Sequence, residues 1–476
     1  MAGGQELLSR REALRLALLG LGAAGGSAVL GACGDDSGDH RGLTPAERAR
    51  PNLLLIVADD MRYDQLRYMP QVRRLVQVQG ATFTQARCNV PLCQPSRVGF
   101  LTGQMSKHNQ ELGVGFAASR LTDHDNCIGR WMHDAGYRCG LFGKYLNWYD
   151  SIGGIDPPAG YEAWHELLDI AREYEFPVRL DSRTATISDV YTTDYLAQRA
   201  IAFTKGAEPF LCIVTPTQPH APSLPRRDLA DAWSDFRWPV VDEVDVSDKP
   251  PWMRRLPPLT EADIERIVAD ARGALRELSA VDDMVDQIVG GMAPAVLDNT
   301  VVIFTSDNGL HLGEHRRRGS GMKSGPYEVA LHVPLLVRGP GFEPGAEITA
   351  PSMVFQDVNA TMRDLGGAEA GLPHQAGTSL AAMAAAPDEH RSRVLLHAIG
   401  HGFQTASGDG ITTGPEHPLG FRKLYRYPSR EAATGPFVYE AYDLDGDPDE
   451  HANWANDESR RGERDALESE LDVLLA

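Results

Sequence analysis

The chain has 476 residues, enough for one large domain with a smaller one beside it. Hydrophobic residues make up 42% and charged residues 24%, an ordinary globular composition. The formal net charge of -20 argues against nucleic acid as a partner, although a local basic pocket can still receive an anionic substrate.

In chain order, the N-terminus comes first. "SRREALRLALLGLGAAGGSAVLGAC" places Arg10 and Arg11 before an apolar run with no polar face. It resembles a twin-arginine export signal, ending in a lipobox with Cys33 as the lipidated first residue of the mature chain. The expected partner is the twin-arginine export machinery, and the expected location is extracytoplasmic, lipid-anchored through Cys33. Residues 34–49 are polar and glycine-containing and read as a tether.

Four apolar runs follow, each closed by polar residues: "PNLLLIVADD", "YRCGLFGKY", "PFLCIVTPTQPH" and "NTVVIFTSDNG". Helical patterns lie between them, "DNCIGRWMHDAG" and the longer "EADIERIVADARGALRELSAVDDMVDQIVGGM". Apolar strands alternating with helices predict an α/β fold whose mostly parallel sheet is covered on both faces. In such sheets ligands bind beyond the carboxyl ends of the strands, where all four runs place their polar residues. A long proline-rich segment from Ala221 to Pro258 begins beside one strand end, as loops that shape a pocket do. After about residue 390, "RVLLHAIG", "FRKLYRYPS" and "FVYEAYDLDGDPDEHANW" predict a small antiparallel sheet, followed by a terminal helix in "RDALESELDVLL". The expected organisation is signal 1–33, tether 34–49, catalytic domain 50–390 and C-terminal subdomain 391–476.

The chemistry-bearing residues gather at the predicted strand ends. Asp59 and Asp60 close one strand, Asp307 and Asn308 another. A single such Asp commonly caps a turn, but two adjacent carboxylates repel unless a cation lies between them. The donors are hard oxygens, which suit Ca²⁺ or Mg²⁺ rather than zinc. Lys144 and His220 follow apolar strands and Lys323 a glycine-rich turn, reading as a cradle for a tetrahedral anion. In "CQPSRVGFLTG", Pro95 fits a helix start, Ser96 a cap and Gly103 a helix end. Arg97 lies one turn after Cys93 and shares its face. Cys212 reads as a buried small hydrophobe; Cys88, Cys127 and Cys139 can be free or paired.

"CQPSRVGFLTG" matches the sulfatase signature, Cys-x-Pro-Ser-Arg, three residues, then Leu-Thr-Gly. "NLLLIVADD", "GYRCGLFGKYLN", "TPTQPHAP", "FTSDNGLHLGEH", "KSGPYEVALHVPLLVRGPG" and "YDLDGDPDEHANW" follow the family's order. The chain therefore resembles the formylglycine-dependent sulfatases, most of all the branch of glucosamine-6-sulfatases and extracellular heparan sulfatases. The resemblance implies an alkaline-phosphatase-like sandwich, with helices on both sides of a large mostly parallel sheet and a small C-terminal α+β subdomain. It implies that a formylglycine-generating enzyme oxidises Cys93 to Cα-formylglycine, whose hydrate attacks sulfur and then expels sulfate. Asp59, Asp60, Asp307 and Asn308, with modified Cys93, correspond to the ligands of the family's calcium. Arg97 corresponds to the residue orienting the formylglycine, Lys144 and Lys323 to those gripping sulfate, and His220 to the histidine near the leaving oxygen. One departure is Leu146, where many sulfatases have histidine; Asn147, His108 and His311 are the candidates to replace it.

The expected activity is hydrolysis of a sulfate monoester of a sugar or aryl alcohol. Phosphonate monoester or phosphodiester hydrolysis is the alternative within the superfamily. A lipoprotein that binds sulfated glycans without cleaving them is the alternative outside enzymes; it would need a lost catalytic group, and only the position of Leu146 departs.

Overall fold

The computed structural model describes residues 50–476 apart from 112–120, 122, 148, 150–155, 170–171, 241–242, 318–322, 387–388, 399–405 and 429–435. The expected export signal, lipobox and tether lie outside the described residues.

Among the described residues the strands in chain order are β1 (Asn52–Ala58), β2 (Gly80–Phe83), β3 (Ala86–Arg87), β4 (Arg138–Gly143), β5 (Tyr161–Leu167), β6 (Glu175–Leu180), β7 (Arg183–Ser188), β8 (Phe210–Thr215), β9 (Thr300–Ser306), β10 (Leu335–Arg338), β11 (Glu347–Ile348), β12 (Ser352–Met353), β13 (Arg393–Ala398), β14 (Gly408–Thr413), β15 (Arg422–Pro428) and β16 (Phe437–Asp443). Ten of them form one sheet in the order β11-β2-β10-β9-β1-β8-β4-β5-β6-β7. The five central strands, β9 to β5, are parallel, and antiparallel pairs flank them. The four apolar runs expected from sequence are β1, β4, β8 and β9, side by side at the centre.

Why these runs are apolar throughout follows from where their two faces go. Leu53, Leu55 and Val57 of β1 join Leu211, Ile213, Val301 and Ile303 in one core. Leu54, Ile56 and Ala58 join Cys212, Val214, Val302 and Phe304 in a second core on the opposite face. Successive side chains in a strand point to opposite faces, so a sheet covered on both sides needs apolar residues at every position. The first core is closed by helices Cys93–Thr102, Ile128–Asp134 and Val354–Gly366, and the second by Thr192–Thr204 and the long Glu261–Val289. Each large side chain so buried stabilises the fold by roughly 1.5–3 kcal/mol.

The strands β13 to β16 form a separate four-stranded antiparallel sheet in sequential order, with the terminal helix Arg461–Leu475 packed on it through Leu467 and Leu471. Beside it lies a buried ionic cluster. Arg87 Nη2 is 2.7 Å from Glu328 Oε2, Lys423 Nζ is 3.1 Å from Glu328 Oε1, and Lys423 also contacts Glu450. Cys88, Cys93, Cys127, Cys139 and Cys212 are all buried and free, which settles the pairing that the sequence left open.

Candidate active site

The register of the central strands sets the site. Ala58 is level with Ser306, so Asp59 and Asp307 leave the sheet together. Beyond that point the ladder cannot continue, and the chain finds other partners. Asp307 donates its N–H to the Ala58 carbonyl (3.1 Å), and Asp60 donates its own to Asp307 Oδ1 (3.1 Å). Asp60 has φ 72, a left-handed conformation that a non-glycine residue adopts at a cost of order 1 kcal/mol. Two strands away, Gly143 is level with Thr215, and Lys144 and the segment to His220 leave at the same edge.

Cys93 is the first residue of helix Cys93–Thr102, and every residue of that helix is buried. Gly103 ends it at φ 68, donating to the Gly99 carbonyl, as expected. Ser96 is a correction: it caps nothing, and its hydroxyl donates to the Val90 carbonyl at 2.7 Å. Leu92 occupies the N-cap position. Four residues on from Cys93, Arg97 projects onto the same side. Its Nε is 2.9 Å from Asp307 Oδ2, its Nη2 is 3.6 Å from Asp59 Oδ2, and its Nη1 donates to the Lys144 carbonyl at 2.8 Å.

The two lysines complete the cluster. Lys144 Nζ lies 2.5 Å from Asp59 Oδ2; Lys323 Nζ lies 2.5 Å from Asp60 Oδ1 and 3.8 Å from Cys93 Sγ. Asn308 donates to Asp60 Oδ1 at 2.7 Å, and Asn147 Nδ2 is 3.8 Å from Cys93 Sγ. His220 Nε2 is 3.7 Å from Asp60 Oδ2, and its Nδ1 is 2.6 Å from the Ala221 carbonyl. The cluster faces solvent on the side of His220, whose side chain is 18% exposed against 0–1% for Asp59 and Asp60. Burial opposes ionisation of Asp59, yet Lys144, then His220, Arg97 and Lys323, outweigh it and hold the carboxyl below the usual range. Asp307 goes the other way: burial and neighbouring Asp59 push it up to about 6 against the pull of Arg97.

Three oxygens of the cluster, Asp59 Oδ1, Asp60 Oδ2 and Asn308 Oδ1, are buried with no hydrogen-bond donor among the described residues. Buried polar atoms are normally satisfied, so three together mark a place for a positive group. One ligand atom from each of Asp59, Asp60 and His220 lies within 4.8 Å of the others. The oxygen set and this set share both aspartates and differ in the third member. The three orphaned oxygens fit a hard divalent cation better than a set including imidazole does. Asp307 has both oxygens occupied, by Asp60 N and by Arg97.

The structure thus brings Asp59, Asp60, Cys93, Arg97, Lys144, Asn147, His220, Asp307, Asn308 and Lys323 together. Of the three candidates to replace the missing histidine, Asn147 alone is seen beside Cys93. His108 is exposed and stacks on His374 with ring centroids 4.3 Å apart. His311 is buried beside Arg317, whose other amino group donates to the Lys323 carbonyl at 3.0 Å. Leu146 belongs to the apolar core. Sequence reading missed Arg317, a fully buried guanidinium pulled down to about 10 by burial. Its signal was faint, one arginine in "HRRRG".

A family model described as Sulfatase matches residues 51–368. The extracellular sulfatase SULF-1 homolog of Drosophila melanogaster is 29% identical over 360 residues, 69% of this chain and 31% of the relative. The N-acetylglucosamine-6-sulfatase of Homo sapiens is 27% identical over 386 residues, 74% of this chain and 68% of the relative. The chain therefore spans between about a third and two thirds of the length of these curated relatives. A solved structure of a protein in complex with its substrate D-glucosamine-2-N,6-O-disulfate superposes with a TM-score of 0.76 at 20% identity, covering 89% of this chain and 97% of that one. That likeness shows the shared fold.

Proposed function

The chain belongs to the sulfatase family, and from that premise we propose that it falls in the branch of the N-acetylglucosamine-6-sulfatases and extracellular heparan sulfatases and hydrolyses a sulfate monoester of a sugar. The observation that carries this reading is the position of Cys93. Its buried Sγ lies 3.8 Å from both Lys323 and Asn147, at the start of a helix aimed at the carboxylate cluster. The substrate class is supported by the disulfated glucosamine bound to the solved structure of like fold.

In this reading Asp59, Asp60 and Asn308 would hold a calcium or magnesium ion through their open oxygens, and Asp307 and modified Cys93 would complete the set, Asp307 through a second lone pair beside its bonds to Asp60 N and Arg97. The metal supplies Lewis-acid stabilisation of charge on the sulfate oxygens. A formylglycine made from Cys93 supplies, when hydrated, a nucleophile with a second hydroxyl that permits sulfate to leave. The chain's own groups do the rest. Arg97, fixed by Asp307 and the Lys144 carbonyl, orients residue 93. Lys144 and Lys323 are positioned to turn from their aspartates to the sulfate oxygens. His220 donates from Nδ1 to the Ala221 carbonyl, which leaves Nε2 facing the cluster; protonated there, it delivers a proton to the leaving alcohol. Asn147 takes the place of the family histidine as a donor beside residue 93.

The test is the mass of the peptide containing Cys93 together with Cys93→Ser. The expected results are an aldehyde in the wild type and a folded serine variant without multiple turnover, because serine lacks the second hydroxyl. Wild-type steady-state turnover by Cys93→Ser, made in a host unable to oxidise serine, overturns the mechanism. Faster cleavage of an aryl phosphodiester than of an aryl sulfate would favour the phosphonate or phosphodiester reading.

We also propose the domain division at 390/391, export through Arg10 and Arg11, and anchoring through Cys33. The extracellular relative of Drosophila melanogaster supports export, and no helix among the described residues is long and apolar enough to cross a membrane. Arg10 and Arg11 replaced by Lys should retain the protein in the cytoplasm, and Cys33→Ser should extract without detergent. Membrane fractionation unchanged in the latter would remove the lipid anchor from the proposal.

A further inference from the structure

Beneath the segment that carries His220 lie two buried carboxyl groups with no cation beside them. Glu173 and Glu277 are 6% and 1% exposed, and among the described residues neither has an ion-pair partner. Their contacts are with the loop. Gln218 Nε2 donates to Glu173 Oε2 at 2.5 Å and to Thr192 Oγ1 at 2.7 Å, and the Thr192 hydroxyl donates to Glu173. Leu224 N donates to Glu277 Oε1 at 2.6 Å, and Tyr191 O–H donates to the Leu224 carbonyl at 2.9 Å. The two acids therefore grip the loop on either side of His220. The grip extends to the metal-site carboxylates through the backbone, because Asp59 N donates to the Gln218 carbonyl at 3.1 Å.

Helix Glu261–Val289 is shaped for this contact. One turn before Glu277, Gly273 packs so close to Ser223 that an added Cβ would lie 2.7 Å from the serine side chain. The loop can approach Glu277 only where the helix has no side chain. Two oxygens of the cluster, Glu277 Oε2 and Gln218 Oε1, are buried without a donor among the described residues. An acid proton on a carboxyl group removes one uncompensated buried charge for each group that carries it.

We propose that Glu173 and Glu277 are positioning residues, which carry at least one proton between them at neutral pH and clamp the Thr217–Leu224 loop from either side so that His220 faces Asp60. Burial, with a smaller push from Asp169, raises Glu173 to about 7; burial, with the charge of Glu173 adding to it, raises Glu277 well above the usual carboxylate range. The other titratable groups facing them are Asp169, Tyr174 and Tyr191, none of which supplies positive charge. Loss of the last proton puts two like charges in one uncompensated buried pocket, and their repulsion displaces the carboxylates that Gln218 and Leu224 hold, moving the loop that carries His220. This inference rests on the role of His220 given above.

The experiment measures kcat and KM of the full chain on an aryl sulfate from about pH 5 to about pH 9, in wild type, Glu277→Gln and Glu277→Ala. Glutamine keeps an uncharged group of the same shape. It should preserve neutral-pH activity and move the alkaline fall in kcat/KM upward by at least about one pH unit. Alanine should lower kcat about tenfold at every pH, with KM within about twofold. An alkaline limb unmoved in Glu277→Gln overturns the proposal, as does a second cation per chain that is lost in that variant. If neither variant folds, the infrared C=O band of a protonated carboxylic acid decides at about pH 8 in a chain carrying Glu450→Gln, where Asp307 and residue 450 add no such band. Its presence after chelation supports the clamp and its absence overturns it. A protein that turns over no sulfate ester at any pH refutes the proposed function instead; turnover with an unmoved limb refutes the clamp alone.

Discussion

Compare the carboxylates at the ends of β1 and β9 with those beside β15. In the first group, Asp59, Asp60 and Asp307 face Arg97, Lys144 and Lys323; in the second, Glu328 and Glu450 face Arg87 and Lys423. Both balance in formal charge. In the second, Glu328 meets both cations, its N–H donates to Glu450 Oε2 at 2.6 Å, and a single oxygen, Glu450 Oε1, lacks a hydrogen bond while lying against Lys423. The first leaves three carboxylate or amide oxygens without a hydrogen bond among the described residues, and Arg97 Nη2 reaches Asp59 Oδ2 only at 3.6 Å. Charge neutrality therefore does not separate the two clusters, whereas the oxygens without a hydrogen bond, three gathered at one point against a single one beside its lysine, do. A divalent cation on those oxygens would turn the first cluster net positive, which matches an anionic sulfate ester.

The sharpest way to break this comparison is to exchange costs between the clusters. Asp307→Asn keeps shape and should reduce turnover of a sulfate ester by about a thousandfold or more, while moving Tm by no more than about 2 °C. Activity within tenfold of wild type would place Asp307 with the structural acids. Arg87→Met should do the reverse. It should cost about 3 kcal/mol in denaturant unfolding, with kcat per folded molecule unchanged within about twofold.

Chelation followed by dialysis should abolish turnover without altering far-ultraviolet circular dichroism, and Ca²⁺ or Mg²⁺ should restore it better than Zn²⁺. Full activity in the metal-free protein, verified by elemental analysis, would leave the three orphaned oxygens without an explanation.

The smallest effect concerns pH. Burial, opposed by Lys423 and reinforced by Glu328, raises Glu450 from 4.5 to about 7. A carboxyl raised in the folded state keeps a proton that the unfolded chain has lost. Its contribution to stability is whole below about pH 4.5 and disappears as pH rises through about 7. Glu450→Gln should flatten that part of the stability–pH curve while leaving kcat alone. A curve of unchanged slope would mean that Glu450 is ionised throughout.

Much of the reactive cluster was legible because its residues sit immediately after apolar runs. A strand buried on both faces is conspicuous, and Asp59, Lys144 and Asp307 each follow one within two residues. The order β9-β1-β8-β4 was not legible, since nothing local in a parallel strand names its neighbour. The strand β14 escaped because "GDGITT" carries two glycines and no long apolar run, so it reads as a turn. Glu277 had a usable signal that went unread: it lies three residues after Ala274 and four before Val281, on the apolar stripe of its helix. A charged residue on such a stripe is usually taken as a solvated flank. The cationless surroundings that make it unusual come from Tyr191 and Glu173, about a hundred residues away, and no pattern within the helix reports them.

The complete burial of helix Cys93–Thr102 has a bearing on timing. An enzyme that reads Cys-x-Pro-Ser-Arg needs the stretch as an accessible peptide, but in the finished molecule Cys93, Pro95, Ser96 and Arg97 are all covered and the helix packs against Val354, Phe355 and Val358. If residue 93 is converted as proposed, it is open to that conversion only while the chain is incompletely folded. Folding rate and maturation rate compete, and any change that speeds closure over this helix lowers the fraction of molecules that become active. Purified, folded protein still carrying the thiol should stay unconverted when the maturing enzyme is added, and become a substrate for it on unfolding.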